Sequence, residues 1–281
     1  MRRTVVLSAA LLVGFSVMAR AAEPGNPVQR KKVVFLAGGA SHGQGQHAWP
    51  DAARLLKHCL DTSPNVKGVT SEIHLNGWPK DPAVLDDAAT IVLLSDGDGG
   101  HPLFREKARQ EKIEALMARG VGLACIHYAV DPPNEGEEPL LRWLGGIYKT
   151  GYSTNPTNDV ELQAATPDHP IARGIKPFKM RDEIYYRIWF GKGEGTGNAV
   201  PIATIKLARE PKPQIVAWAT ERKDGGRGFG FTGCHFHKLW GLEGFRGLVL
   251  NAVVWTAKLE VPKEGVQSSV PGEMLEESRK K

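Results

Sequence analysis

Histidine is the residue whose placement stands out in this sequence. There are nine, and six of them directly follow segments that read as strands: His42, His47, His101, His127, His235 and His237. Imidazoles gathered in this way suit two jobs. They ligate a transition metal, most often zinc, through neutral ring nitrogens, or they move protons near neutral pH. The spacing matches no standard zinc motif, since His-Glu-x-x-His is missing and His235-Phe236-His237 is only a His-x-His pair. In an extended chain that pair sends both rings to one side. A single loop histidine is ordinarily just solvated, whereas six converging on one sheet edge point to a site.

Two acidic segments lie near these histidines in the reading. Glu183, within Arg181-Asp-Glu-Ile-Tyr-Tyr186, is a carboxylate that could complete a metal sphere or act as a general base. Its plain alternative is an ion pair with Arg181 or Arg187. Asp96-Gly-Asp98-Gly-Gly-His101-Pro102 opens like a calcium loop but lacks the downstream glutamate. It reads instead as a tight turn whose backbone or carboxylates approach a polar ligand. Ser41, His42, His47, Asp96 and His101 are therefore expected at the rim of a site centred on His127, Glu183, His235 and His237. Tyr128, Tyr185, Trp189 and Trp240 are candidate flat faces for a sugar ring, although aromatics serve as plain core at least as often.

These residues need strands and helices to hold them. Residues 32–37, 90–94 and 121–126 are continuous apolar runs of the kind found in buried parallel strands. Residues 71–75 read as a further short strand. Between them, residues 48–60 and 104–119 carry helical apolar periodicity. The second half reads as strands over 182–190, 200–206, 214–220 and 228–232, then an amphipathic helix ending near Thr256. This alternation predicts an α/β fold with a mainly parallel sheet and helices on both faces. In such sheets ligands bind at the carboxyl ends of the strands, where the histidines fall.

Length and composition fit that domain. The chain has 281 residues, 41% hydrophobic and 24% charged. Residues 1–21 have the three parts of a secretory leader: Arg2-Arg3, an apolar run over 4–18, and Ala19-Arg20-Ala21 as the cleavage site. The run is too short for a stable membrane span. The formal charge of +5 falls to +2 once Arg2, Arg3 and Arg20 leave with the leader, so no nucleic-acid partner is expected. The expected organisation is a leader at 1–21, a linker at 22–30, one domain at 31–266 and a polar mobile tail at 267–281. Of the three cysteines Cys59, Cys125 and Cys234, at least one stays unpaired.

The segment Val121-Gly-Leu-Ala-Cys-Ile-His127-Tyr-Ala129 runs from strand to turn like the nucleophile elbow of α/β hydrolases and class I glutamine amidotransferases. Centred on His127, it has small residues at both flanking positions, Cys125 and Ala129. Centred on Cys125, it would have Leu123 and His127 there. The better register exposes His127 and disfavours acyl-enzyme chemistry at a cysteine.

Several segments in order resemble the trehalose-utilisation (ThuA-like) family. They are Phe35-Leu-Ala-Gly-Gly-Ala-Ser41-His42-Gly43, Cys125-Ile-His127-Tyr-Ala129, Leu144-Gly-Gly, His169-Pro-Ile and Asp182-Glu183-Ile-Tyr-Tyr186. Gly226-Arg-Gly-Phe-Gly-Phe-Thr-Gly-Cys-His-Phe-His237 and Leu250-Asn-Ala-Val-Val-Trp255 continue the series. Cys234 stands where many relatives carry glycine, and Ile184 where close relatives have an aromatic. The resemblance implies a three-layer, flavodoxin-like, class I glutamine-amidotransferase-like fold without the amidotransferase nucleophile. It also implies a role in sugar or glycoside breakdown through 3-keto sugars, export, and in some members a metal. The expectation is a hydrolase or lyase acting on a small carbohydrate; the alternative is a non-catalytic sugar-binding module or partner subunit.

Overall fold

Strand β1 (Lys31–Ala37) buries its last five residues completely, and its side chains divide between two cores. Val33, Phe35 and Ala37 face one cluster, Val34 and Leu36 the other. This is the two-residue alternation of a strand covered on both faces. The computed structural model describes residues 30–193 and 195–276. The leader and residues 22–29 of the linker lie outside the described residues.

The chain continues through α1 (Trp49–Asp61), β2 (Val69–His74), β3 (Ala88–Leu94), α2 (Lys107–Ala118), β4 (Gly122–Ile126) and α3 (Glu137–Leu144). It then forms β5 (Thr157–Ala164), β6 (Phe178–Glu183), β7 (Ala199–Ile205), β8 (Gln214–Glu221), β9 (Arg227–Phe231) and α4 (Glu243–Thr256). One nine-stranded sheet results, ordered β2-β1-β3-β4-β9-β8-β7-β5-β6. The β2, β1, β3, β4 and β9 strands run parallel, and the remaining pairings are antiparallel.

Helix α1 starts with Pro50 in its first turn, where a missing N–H costs nothing. It buries Leu55, Leu56, Cys59 and Leu60 beside α4 on one face of the sheet. Ile113, Leu116 and Met117 of α2 and Leu140, Trp143 and Leu144 of α3 fill the other cluster. Each such side chain contributes about 1.5–3 kcal/mol by leaving water.

Three sequence expectations need correction. The strand expected at 182–190 lies at Phe178–Glu183; beyond it the chain makes only the isolated bridges Thr154–Tyr186 and Ile147–Trp189. Strand β5 and helix α3 were not anticipated. β5 carries only Val160 and Leu162 as buried residues among polar neighbours, and α3 has Pro139 in its first turn. Finally, residues 267–276 of the expected mobile tail are docked. Arg246 of α4 is buried and donates to Ser268 Oγ and to the Ser268 and Trp240 carbonyls. Ser63 donates to the Gln267 carbonyl, while Met274 and Leu275 pack on the α1/α4 core. A buried guanidinium requires acceptors, and this segment supplies them. No helix among the described residues is long and apolar enough to cross a membrane.

Candidate functional site

Loops at the carboxyl ends of parallel strands bring three imidazoles together. His47 comes from the loop after β1, His127 follows β4 directly, and His235 follows β9. His127 has φ 56°, the left-handed conformation that a sharp strand-to-turn elbow imposes and that few non-glycine residues adopt. Glu183 reaches the same point from the end of β6. Its neighbour Asp182 points the other way along the strand and is wholly buried. The Asp182 carboxylate accepts the backbone N–H of Cys234 (2.7 Å) and of His235 (3.1 Å), so it fixes the turn that aims His235. That turn carries Cys234 at φ 110°.

The distances describe a tight cluster. His47 Nε2 lies 3.0 Å from His235 Nδ1 and 3.2 Å from His127 Nε2. Glu183 Oε2 lies 3.2 Å from His235 Nδ1 and 3.5 Å from His127 Nε2. All four atoms fall within 4.8 Å of one another. Ligands about 2.0–2.1 Å from a tetrahedral zinc ion stand about 3.3–3.4 Å apart, and the four contacts that run round the cluster, 3.0 to 3.5 Å, lie close to that.

The far nitrogens set the tautomers. His127 Nδ1 donates to the Thr232 carbonyl at 2.7 Å, and His47 Nδ1 donates to Asp96 Oδ1 at 3.1 Å. In the neutral rings both Nε2 lone pairs therefore point into the cluster. One proton could bridge one pair of these atoms; a single cation serves all four. Carbonyl and carboxylate partners behind ligating imidazoles are the usual outer support of a metal site. The donor set thus fits a divalent ion held by His47, His127, Glu183 and His235.

Asp96 Oδ1 also accepts from Ser41 Oγ (2.7 Å) and Trp49 Nε1 (3.0 Å). Burial raises its pKa, but the His47, Ser41 and Trp49 bonds outweigh that and hold it at about 2. Burial pushes His47 down to about 4 against the pull of Asp96, with His127, His42 and His235 adding to the drop. Burial also raises Glu183, yet its bonds to His127 and His235 hold it well below the usual carboxylate range. Glu183 is thus an ionised partner of the imidazoles. The alternative ion pairs are otherwise engaged, since Arg181 meets Asp159 and Arg187 meets Glu210.

The expected residues divide. His127, Glu183 and His235 come together as anticipated, and His47, expected at the rim, is in the centre. His42 is exposed, with its ring 3.8 Å from that of His47. Tyr185 places its hydroxyl 3.5 Å from His127 Nε2, and the Tyr128 ring lies 5.8 Å from that of His47. Burial raises the Tyr185 hydroxyl far above the usual tyrosine range and the Tyr128 hydroxyl to about 12.

His237 and His101 are not in the centre. His237 opens a short 3-10 turn, so the two-residue alternation expected of His235 and His237 fails; its Nε2 donates to the Met274 carbonyl at 2.9 Å. His101 is buried against Phe104, and its Nε2 donates to the Ala129 carbonyl. Burial lowers its pKa to about 4, so it is a neutral structural ring. Of the elements that sequence reasoning missed, Asp182 adjoins the chosen Glu183 and Trp49 opens α1, whereas the Thr232 carbonyl leaves no side-chain signal. Trp189 stacks edge-on to Tyr152, and Trp240 packs on Phe245 in the core.

Cys125 is fully buried within β4, and burial pushes its thiol far up. The elbow turns the His127 ring into the buried cluster rather than exposing it as expected, and it leaves no thiolate for amidotransferase chemistry.

An α/β protein with a His/Glu centre at the carboxyl ends of its parallel strands is the class that fold and site define. The trehalose utilisation family model matches residues 32–256, and the chain belongs to that family. Among solved structures it is similar to a ThuA-like protein from Parabacteroides merdae, at 15% identity over 89% of this chain and 100% of the other, with TM-score 0.62. A ThuA-like protein from Bacteroides uniformis matches at 16% identity over 83% and 95%, TM-score 0.59. A cytoplasmic protein from Salmonella typhimurium matches at 15% over 81% and 97%, TM-score 0.50. These likenesses show the fold. No curated protein sequence matches the chain.

Proposed function

We propose that this chain is an exported carbohydrate-active enzyme, a hydrolase or lyase that acts on a glycoside or 3-keto sugar at the centre formed by His47, His127, Glu183 and His235. The observation that carries the reading is the convergence of three ring nitrogens and one carboxylate oxygen within 4.8 Å of one another, with two lone pairs turned inward. Three imidazoles and a carboxylate are a donor set that suits zinc. When bound, such an ion polarises a carbonyl and lowers the pKa of water.

The chain's own groups do the rest. Asp96 and the Thr232 carbonyl hold the His47 and His127 rings in register. Asn155 donates to Glu183 Oε1 at 3.2 Å, which leaves Oε2 toward the imidazoles. Tyr185 keeps its proton at neutral pH and is placed to donate a hydrogen bond to a substrate oxygen beside His127. The two core clusters on opposite faces of the sheet support a three-layer, amidotransferase-like description. The leader at residues 1–21 supports export with cleavage near Ala21, which N-terminal sequencing of the secreted chain would check.

The test is turnover of 3-keto-glycosides and trehalose-like disaccharides, with and without chelator. Turnover that chelator abolishes and added zinc restores is expected. Sugar binding without any turnover would instead mark a non-catalytic binding module.

A further inference from the structure

Beside the centre lies a second recess that the reaction proposed above does not use. Its volume is about 260 Å³, and its walls are the loops after β1, β2 and β3. In the order β2-β1-β3 the chain first moves to one side of β1 and then to the other, so this is the point where the winding of the parallel sheet reverses. Crevices at such points are where open α/β sheets take ligands.

The lining is polar and built for close approach. Gly38 and Gly39 follow β1, Asn76 follows β2, and Ser95, Asp96 and Arg105 come from the segment after β3. A side chain at Gly38 would press against Ser95, with Cβ–Cβ at 3.1 Å, whereas one at Gly39 would meet no protein atom within 4 Å. Ser95 is 1% exposed, and its hydroxyl has no hydrogen-bond partner. A buried hydroxyl left unpaired is costly, and a ligand in the recess would relieve it. Asp96 forms the wall shared with the centre. Its bonds to Ser41, Trp49 and His47 all fall on Oδ1, so Oδ2 is the oxygen available to a ligand.

We infer that this recess is a subsite for one neutral sugar ring, the part of the substrate next to the unit held at the His/Glu centre. The inference rests on the carbohydrate reading above. One carboxylate and one guanidinium face the recess, so their charges balance and neither an anion nor a cation is favoured as the whole ligand. Vicinal hydroxyls satisfy such a pair, because a carboxylate only accepts and a guanidinium only donates. Ser95 and Asn76 add a hydroxyl and an amide. The volume lies below the range of about 300–1,000 Å³ that drug-sized ligands fill, which limits the guest to a single small ring. Because Asp96 also orients His47, an occupied recess is one side chain away from the centre.

The test is saturation-transfer NMR with methyl α-D-glucopyranoside on the full mature chain. Three variants probe the recess, and His127→Ala serves as the variant disabled at the centre. Ser95→Ala removes only an unpaired hydroxyl and Arg105→Gln an exposed charge; Gly39→Leu sets a bulky side chain on the recess wall, where an added Cβ meets no protein atom within 4 Å. Saturable binding is expected in the parent and in His127→Ala alike. Gly39→Leu should abolish it, and Arg105→Gln should weaken it about tenfold, the loss of a charge-assisted hydrogen bond. Binding in the parent that Gly39→Leu leaves unchanged would overturn the subsite. So would displacement of the sugar by inorganic phosphate, or binding lost in His127→Ala and kept in Gly39→Leu. Should the expected pattern appear with no turnover of any glycoside, the subsite stands and the catalytic proposal fails. If turnover of disaccharides is chelator-sensitive but indifferent to Gly39→Leu, the outcome is the reverse.

Discussion

His47 Nε2 and His127 Nε2 stand 3.2 Å apart, each turned toward the other by a hydrogen bond at its far nitrogen. Two inward lone pairs at that distance repel unless something positive lies between them. Glu183 and His235 close the remaining sides of the same space. The geometry of the whole site follows from satisfying this cluster.

Asp96 is a positioning residue for His47. Asp96→Ala should lower zinc affinity about 10–100-fold, the usual loss when a carboxylate behind a ligating histidine is removed. Asp96→Asn keeps an acceptor for Nδ1–H and should recover most of it. Competition against a coloured chelator measures both; equal affinity in Asp96→Ala and the parent would deny the role.

His237 should prove structural. His237→Ala removes the bond to the Met274 carbonyl and loosens the docked C-terminal segment, at a cost of about 1 kcal/mol in urea unfolding. Metal content should not change. Loss of metal with unchanged stability would return His237 to the centre.

How far the sequence revealed this site depends on the kind of signal each part leaves. Apolar runs make β1, β3 and β4 plain, and the ends of those strands locate His127 and the loop that carries His47. The elbow register around His127 was readable because small residues flank it. Which way a loop side chain points was not readable. His237 looked like the partner of His235 only on the premise of an extended strand, and a 3-10 turn broke it. His47 reached the centre through a backbone bond from its N–H to the His235 carbonyl, a contact across 188 positions that no local pattern encodes. Strand β5 escaped notice because a mostly exposed strand carries too few apolar residues to show alternation.

Asp131 supplies a pH dependence. Burial, then the charges of Asp98 and Glu137, push its carboxyl up from 3.8 to about 7. Its Oδ1 is buried without a partner. The folded chain thus holds this proton more tightly than the unfolded chain, so stability falls as pH rises from about 4 to about 7 and then levels off. Asp131→Asn removes the penalty and should raise the melting temperature more at pH 8 than at pH 4 (about the two ends of that window). An equal effect at both pH values would refute it.

Thiol chemistry should be silent. Cys59, Cys125 and Cys234 are all buried, and burial raises each thiol above its ordinary range. Iodoacetamide at neutral pH should leave turnover unchanged, and no glutaminase activity should appear. Rapid inactivation by the reagent would reopen a cysteine mechanism.

The most direct measurement is the metal content of the mature chain purified without chelator, compared with His127→Ala, His235→Ala and His237→Ala. The centre described here predicts about one zinc per chain in the parent and in His237→Ala, and nearly none in the other two. Full turnover from a metal-free parent, or zinc retained in both His127→Ala and His235→Ala, would contradict it.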